Sequence, residues 1–157
     1  MATVEVTFTP LPVHVRTARL VATAVARRSG VAESLLDEVR LAVGEACSRA
    51  VEAHLRHCPG QPIRVALTDD GERFEVVVTD AAPGSERDLP TGFDLSAGAD
   101  LAPFPGAAER WIPLQLPNGV GLAVIAGLAD DFSIAAASPA GLGTSVTMSW
   151  KRRAISG

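Results

Sequence analysis

The sequence is short of lysine and has no run of apolar residues long enough to cross a membrane. Lys151 is the only lysine among the 14 lysine and arginine residues of this 157-residue chain. Together with the many Ala, Gly and Pro residues, this bias indicates a GC-rich genome rather than a function. No stretch approaches the roughly 20 apolar residues of a membrane-spanning helix, and the N-terminus lacks the charged-then-apolar pattern of a secretion signal. We therefore expect a cytoplasmic protein without membrane contact.

Cysteine is also scarce, and positive charge is not in excess, which argues against metal, redox and nucleic-acid chemistry. Cys47 and Cys58 are the only cysteines, no Cys-x-x-Cys spacing occurs, and the three histidines show no ligand pattern. The formal net charge is −4, and only the run at 151–153 is locally basic. We therefore predict no metal site and no direct contact with nucleic acid.

The order of apolar patterns predicts an α+β domain. With 47% hydrophobic and 20% charged residues, the chain is ordinary globular protein, and its length favours a single domain over residues 1–157. Period-two alternation predicts strands, and steps of three and four predict helices. In chain order, we predict a strand at 3–8, helices at 13–28 and from about 32 or 33 to 57, strands at 63–67 and 74–79, a helix at 122–130, and strands at 132–137 and 144–150.

Two local patterns sharpen this prediction. Asp70-Gly71 between two alternating runs is a strong signal for a hairpin. On the first helix, arginines at 16, 19, 27 and 28 mark the outer side, and the predicted inner side comprises Val13, Thr17, Leu20, Val21, Ala24 and Val25.

Residues 85–118 fit none of these patterns, because prolines and glycines leave no room for a long element. A loop of this length inside a compact domain is functional or disordered, and we interpret it as a lid or a partner-contacting segment. The remaining elements make a mixed, mostly antiparallel sheet with helices on one face. This is a two-layer α+β sandwich.

The stretch from Leu36 to His54 is the centre of the chain. Its apolar residues follow helical spacing, so one face is predicted to enter the core. Glu45 and Arg49 are four residues apart and point the same way on a helix. From spacing alone, the simplest interpretation is a weak surface ion pair.

The run EACSRAVEAH, which begins at Glu45, resembles the N-box helix of the GHKL ATPase superfamily, and specifically of small bacterial anti-sigma factors with serine-kinase ancestry. In that family the motif usually reads E-A-C-T-N-A, its Glu is the general base, and its Asn ligates the magnesium of bound ATP. The resemblance implies that Glu45 is the base. Arg49 stands at the position of the Asn.

A second motif follows the strand at 74–79. An Asp that ends a strand before a glycine-containing turn usually caps that turn. In the family, the G1 box D-x-G-x-G places its Asp on the amino group of adenine. Asp80 and Gly84 match this box, whereas Ala82 replaces its first glycine. The resemblance implies that Asp80 and Gly84 contact the nucleotide, with a methyl group where the family leaves space.

The remaining motifs involve glycines before a helix and before the last strand. Gly119 and Gly121 precede a predicted helix, where backbone amides and the helix N-terminus favour a phosphate. They match, together with Leu122, the family's G2 box. The turn before Thr144 matches the family's G-x-G-T, in which Thr helps to close the site, although the same turn also makes a simple hairpin.

The resemblance covers nearly the whole chain and implies the Bergerat, or histidine-kinase-like ATPase, fold with ATP or ADP as ligand. It also implies two partners, an RNA polymerase sigma factor and an anti-anti-sigma protein of the STAS fold, as well as a homodimer. The first strand and the helix that carries Arg16 and Arg19 are the expected surface for the dimer or the sigma factor.

The departure at Arg49 bears on activity. An arginine has no acceptor and is permanently charged, so Arg49 cannot ligate magnesium. It could instead pair with Glu45 or reach a phosphate. Our leading hypothesis is therefore an anti-sigma-like regulator that works by binding, with weak or lost kinase activity.

The alternative is an active ATP-dependent serine/threonine kinase that phosphorylates a STAS-domain antagonist. A third interpretation is a nucleotide sensor without catalysis. The sensor domain of a histidine kinase is the least favoured alternative, because we expect no phospho-acceptor helix upstream.

Overall fold

The structure is a computed structural model that describes residues 2–82, 125–138 and 142–152. Its elements are a strand β1, a helix α1, a short 3₁₀ turn, a long helix α2, a hairpin β2–β3 and a hairpin β4–β5. Their bounds are β1 Ala2–Phe8, α1 Pro12–Arg28, the 3₁₀ turn Glu33–Leu35, α2 Leu36–His57, β2 Ile63–Asp69, β3 Arg73–Thr79, β4 Asp131–Ala136 and β5 Thr144–Lys151.

The described strands form one five-stranded sheet in the order β1-β2-β3-β5-β4. All four pairings between them are antiparallel, so the parallel pairing that a mixed sheet requires does not occur among these strands. Alternate residues of the central strands are buried and join one core with α1 and α2. The α+β prediction is confirmed.

The long helix α2 supplies much of this core, as its spacing predicted. The predicted apolar residues are all buried in the structure: Leu36, Val39, Val43, Ala46, Ala50 and Val51. Asp37 and Glu38 lie in its first turn and His54, Arg56 and His57 in its last, which is the charge order that the helix dipole favours.

The inner side of α1 differs from the prediction. The buried residues are Val15, Ala18, Ala22 and Ala26, whereas Val13 is 67% exposed and Leu20 is 61% exposed. Small side chains let α1 approach α2 closely, and close packing of backbones against each other outweighs the burial of a larger side chain such as Leu20. Val21 and Val25 are partly buried against the core. The predicted buried face is therefore rotated about the axis of α1 relative to the observed one.

The β2–β3 hairpin confirms the Asp-Gly signal. Gly71 adopts a φ of 93°, which L residues rarely adopt. Asp70 accepts hydrogen bonds from the backbone amides of Glu72 and Arg73 at 2.8 and 2.7 Å, which lowers the pKa of the Asp70 carboxyl.

The second hairpin brings the end of the chain against the helices. Residues 125–128 are helical, within the predicted helix 122–130, whose first residues lie outside the described part. Trp150 is fully buried, donates from Nε1 to the Leu128 carbonyl at 2.9 Å and stacks on Phe74 with ring centroids 6.3 Å apart. Among the described residues, no helix combines the length and the apolar character that crossing a membrane requires.

Trp150→Ala is expected to lower the free energy of unfolding by about 3–5 kcal/mol, because it leaves a cavity in the core and an unpaired carbonyl. Urea denaturation followed by circular dichroism measures the change. Val13→Ala on the exposed side of α1 is the control and should stay within about 0.5 kcal/mol of wild type. A loss below about 1 kcal/mol for Trp150→Ala would contradict the described core.

Candidate functional site

The candidate site lies where α2 passes the end of β3 and the start of β5. Glu45 and Arg49 stand on α2, Asp80 follows β3, and Thr144 opens β5. The antiparallel pairing of β3 with β5 places Thr79 opposite Ser145, and the Asp80 amide donates to the Thr144 carbonyl at 3.0 Å. The structure therefore brings together three of the residues that the sequence singled out, Arg49, Asp80 and Thr144, and Glu45 lies one helical turn before Arg49.

Asp80 is the most buried charged group of this site, with a side chain 1% exposed. Its Oδ1 accepts hydrogen bonds from the Ala82 amide at 3.1 Å and from the Thr144 amide at 3.2 Å. Its Oδ2 accepts a hydrogen bond from Arg49 Nη1 at 3.1 Å. Both carboxylate oxygens thus bind groups of the protein itself.

Arg49 pairs with Asp80 and not with Glu45, the partner that helical spacing suggested. Its side chain is 20% exposed, so the ion pair is largely shielded from water. A charge-assisted hydrogen bond in such a place is stronger than a surface pair, and the alternative of a weak surface ion pair is wrong for this residue.

The turn between β4 and β5 reaches Asp80 through Gly143. A Cβ on Gly143 would lie 2.2 Å from the Asp80 carbonyl oxygen, which is inside van der Waals contact with rigid backbone. Gly143 also has a φ of 78°. Only glycine fits here, so this turn packs directly on the backbone of the residue that follows β3.

His54 forms a hydrogen bond with Ala81, the residue that follows Asp80. The imidazole is fully buried, and its Nε2 accepts a hydrogen bond from the Ala81 amide at 2.9 Å. Its Nδ1 therefore carries the proton and donates to the Gln61 carbonyl at 2.9 Å. His54 lies in the last turn of α2. Its burial follows from its place four residues after Ala50, in the buried series of this helix.

Glu45 is isolated by comparison. It is 5% exposed, and its Oε1 is buried without a hydrogen-bond partner among the described residues. Burial raises the pKa of Glu45 from 4.5 to about 7, and the Arg19 guanidinium acts in the opposite direction. The pKa of Glu45 therefore lies near neutral pH, which suits a general base.

Arg19 is a residue that the sequence analysis placed on the wrong side of α1. It was expected on the outer side of α1, yet its guanidinium lies directly against Gly44 of α2. A glycine inside a helical pattern often marks a close approach by another part of the chain, and Gly44 carried that signal.

Magnesium does not fit the Arg49 position. A guanidinium offers only donors, and the described part of the chain contains no group of three or more His, Cys, Asp or Glu that could hold a metal ion. Four further predicted nucleotide contacts, Gly84, Gly119, Gly121 and Leu122, lie outside the described residues, as does the predicted lid at 85–118.

A family model described as the histidine kinase-like ATPase domain matches residues 8–150. The chain belongs to this family. The match spans the elements that carry Glu45, Arg49, Asp80 and Thr144, and it confirms the resemblance drawn from the sequence. No curated protein sequence matches the chain.

Two solved structures are similar to this histidine kinase-like ATPase domain. One contains the RsbU and RsbW domains of Rv1364c from Mycobacterium tuberculosis, with 20% identity and a TM-score of 0.61 over 98% of this chain and 34% of that one. The other is the SiaB-SiaC complex from Pseudomonas aeruginosa, with 12% identity and a TM-score of 0.63 over 93% and 89%. The chain thus spans about a third of the Rv1364c chain, and at these identities the likeness shows the fold.

Glu45→Gln is expected to change how stability depends on pH. The native state keeps Glu45 protonated up to about pH 7, whereas the unfolded chain ionises near the ordinary value. Native stability therefore falls as pH rises from 4.5 to 7, by up to about 3 kcal/mol. The neutral glutamine carries no such cost, so the variant should be more stable than wild type at pH 8 and should lose this advantage by pH 4.5.

Urea unfolding of both proteins across this pH range measures the difference. Glu52→Gln is the control, because Glu52 lies on the same helix but is half exposed and paired with Arg56, and its effect should stay small. A difference between Glu45→Gln and wild type that is constant with pH would show that the Glu45 pKa is ordinary.

Proposed function

We propose that this histidine kinase-like ATPase domain is a regulator of the partner-switching type that works by binding proteins, with weak or lost phosphoryl transfer. The observation that carries the proposal is the Arg49–Asp80 ion pair. In this pair the Arg49 guanidinium binds the Asp80 carboxylate. By the family resemblance, this is the carboxylate that would bind the amino group of adenine.

Two steps lead from this pair to reduced nucleotide binding. An adenine amino group would have to displace Arg49 from a buried carboxylate, and the displaced cation would leave Asp80 without its charge partner, which costs several kcal/mol. In addition, Arg49 offers no oxygen to a magnesium ion, and magnesium is needed to offset phosphate charge during transfer. Both effects weaken the binding of the same ligand, ATP with magnesium.

The family resemblance and the second protein in one of the similar structures support the choice of partners. The resemblance implies an RNA polymerase sigma factor and a STAS-fold anti-anti-sigma protein, and a complex between SiaB and SiaC is among the similar structures. Exclusion of one partner by the other is a difference between two binding free energies and needs no chemistry. A cytoplasmic location and a homodimer belong to the same proposal.

Calorimetric titration with ATP and ADP, with and without magnesium, tests the nucleotide part. Wild type is expected to give no heat at a protein concentration of about 100 μM, which places the dissociation constant in the millimolar range. Arg49→Asn should tighten ATP binding by at least about tenfold, because it frees Asp80 and supplies an oxygen ligand.

Arg49→Gln serves as a second variant, since it keeps a donor toward Asp80 should the shorter asparagine destabilise the fold. Arg40→Gln is the matched control, because Arg40 is exposed on the same helix and pairs only with Asp37 among the described residues. Tight, magnesium-dependent binding by wild type would overturn the proposal. Binding without magnesium dependence would favour a nucleotide sensor with Arg49 on a phosphate.

The second candidate is an active serine/threonine kinase, and Glu45 is the observation that favours it. A buried carboxyl with a pKa near 7 is suited to accept the proton of a serine hydroxyl. Incubation with ATP, magnesium and a STAS-domain protein from the same genome, followed by mass spectrometry, separates the two candidates. The leading proposal expects little or no phosphorylation, whereas the kinase expects efficient phosphorylation that Glu45→Gln abolishes.

A further inference from the structure

Arg19 and Gly44 make an unusually close contact between α1 and α2. A Cβ on Gly44 would lie 2.2 Å from Arg19 Nε and 2.8 Å from Cζ, so the guanidinium occupies the space that any larger residue would fill. Glycine in a helix interior costs about 1 kcal/mol relative to alanine. This contact gives a physical reason for a glycine at the middle of a buried helix.

One buried polar atom of Arg19 and one of Glu45, the residue after Gly44, have no hydrogen-bond partner within the described part of the chain. Arg19 Nε is buried and donates to no acceptor among the described residues, and Glu45 Oε1, on the next residue of α2, accepts from no donor. Because both atoms are buried, where the effective dielectric constant is low, the charge of Arg19 acts more strongly on the Glu45 carboxyl than it would in water. Glu45 therefore experiences Arg19 without a direct ion pair.

We propose that Arg19 is a positioning residue that sets the charge of the Glu45 carboxyl across the α1–α2 contact, and that Gly44 is what admits it. The inference goes beyond the proposed function, because it requires neither a partner nor a nucleotide. It assigns a role in the site to a residue that lies outside the motifs.

The other charged groups near Glu45 do not replace Arg19. Arg49 lies one turn further along α2, but its charge is opposed at 3.1 Å by the Asp80 carboxylate. Asp80 stands after β3, and its charge is likewise opposed by Arg49. Arg16 lies on α1, one turn before Arg19, and it is exposed. The electrostatic effect that lowers the pKa of Glu45 comes from Arg19.

Arg19 also lines a groove between the two helices. A cavity of about 300 Å³ lies between α1 and α2, and Arg19 and Arg16 line it together with Val15, Val51 and Glu52. One side chain thus lines a solvent-accessible groove and touches the helix beside the buried carboxyl. A change in how Arg19 lies in that groove changes the field at Glu45.

The experiment is a pH titration of the Glu45 carboxyl by ¹³C NMR on the full chain without nucleotide or partner, with Glu45→Gln to assign the resonance. Arg19→Gln removes the cation and should raise the Glu45 pKa above its wild-type value by about one unit. Gly44→Ala should act in the same direction, because its Cβ displaces the flexible guanidinium while leaving the charge in the protein.

Two further variants separate electrostatics from packing. Arg19→Lys keeps a cation and should restore most of the wild-type titration, and Arg16→Gln, which removes a cation from the same groove, should leave it unchanged. Circular dichroism confirms that each variant is folded.

The inference is overturned when Arg19→Gln and Gly44→Ala fold but titrate like wild type, even if both are less stable. It is also overturned when Arg16→Gln shifts the titration as much as Arg19→Gln does. Neither result bears on ATP or partner binding, so a failure here is distinguishable from a failure of the proposed function.

Discussion

The ion pair between Arg49 and Asp80 is the interaction on which the geometry of the site depends. It connects α2 to the end of β3, and the same carboxylate binds the amides of Ala82 and Thr144, so β5 is held as well. His54 adds a second link from α2 to the Ala81 amide. Removal of one partner from such a buried pair typically costs 3–5 kcal/mol, because the other charge is left unpaired. The pair is therefore structural.

Most of the fold could be predicted because it follows from local periodicity. Alternation located every described strand to within two residues, and Asp70-Gly71 located the hairpin through turn chemistry alone. The face of α1 could not be predicted in this way. Val13 and Leu20 are exposed while Ala18 and Ala22 are buried, since helix packing selects for close approach and a hydrophobicity pattern records only apolar character.

The sequence singled out Arg49 and Asp80, which the structure brings into contact, but it did not give their pairing. Spacing within a helix offers Arg49 only neighbours one turn away. Its actual partner is 31 residues distant in sequence and is set by the position of β3 relative to α2. Gly44 signalled a close contact without naming Arg19. Long-range partners of charged residues depend on the tertiary arrangement, which single-sequence patterns do not contain.

The site thus contains two carboxyls in opposite situations. Asp80 is buried with its charge opposed in contact, whereas Glu45 is buried beside a cation that does not reach it. Charge at Glu45 consequently depends on the distance between two helices, and α1 packs on α2 through small side chains that a slight shift would disturb. A protein that binds across α1 and alters this packing would shift the pKa of Glu45. By reciprocity, the ionisation of Glu45 would change the binding free energy of that protein by the same amount. Such linkage requires no phosphoryl transfer, so it is compatible with the proposed regulator that works by binding.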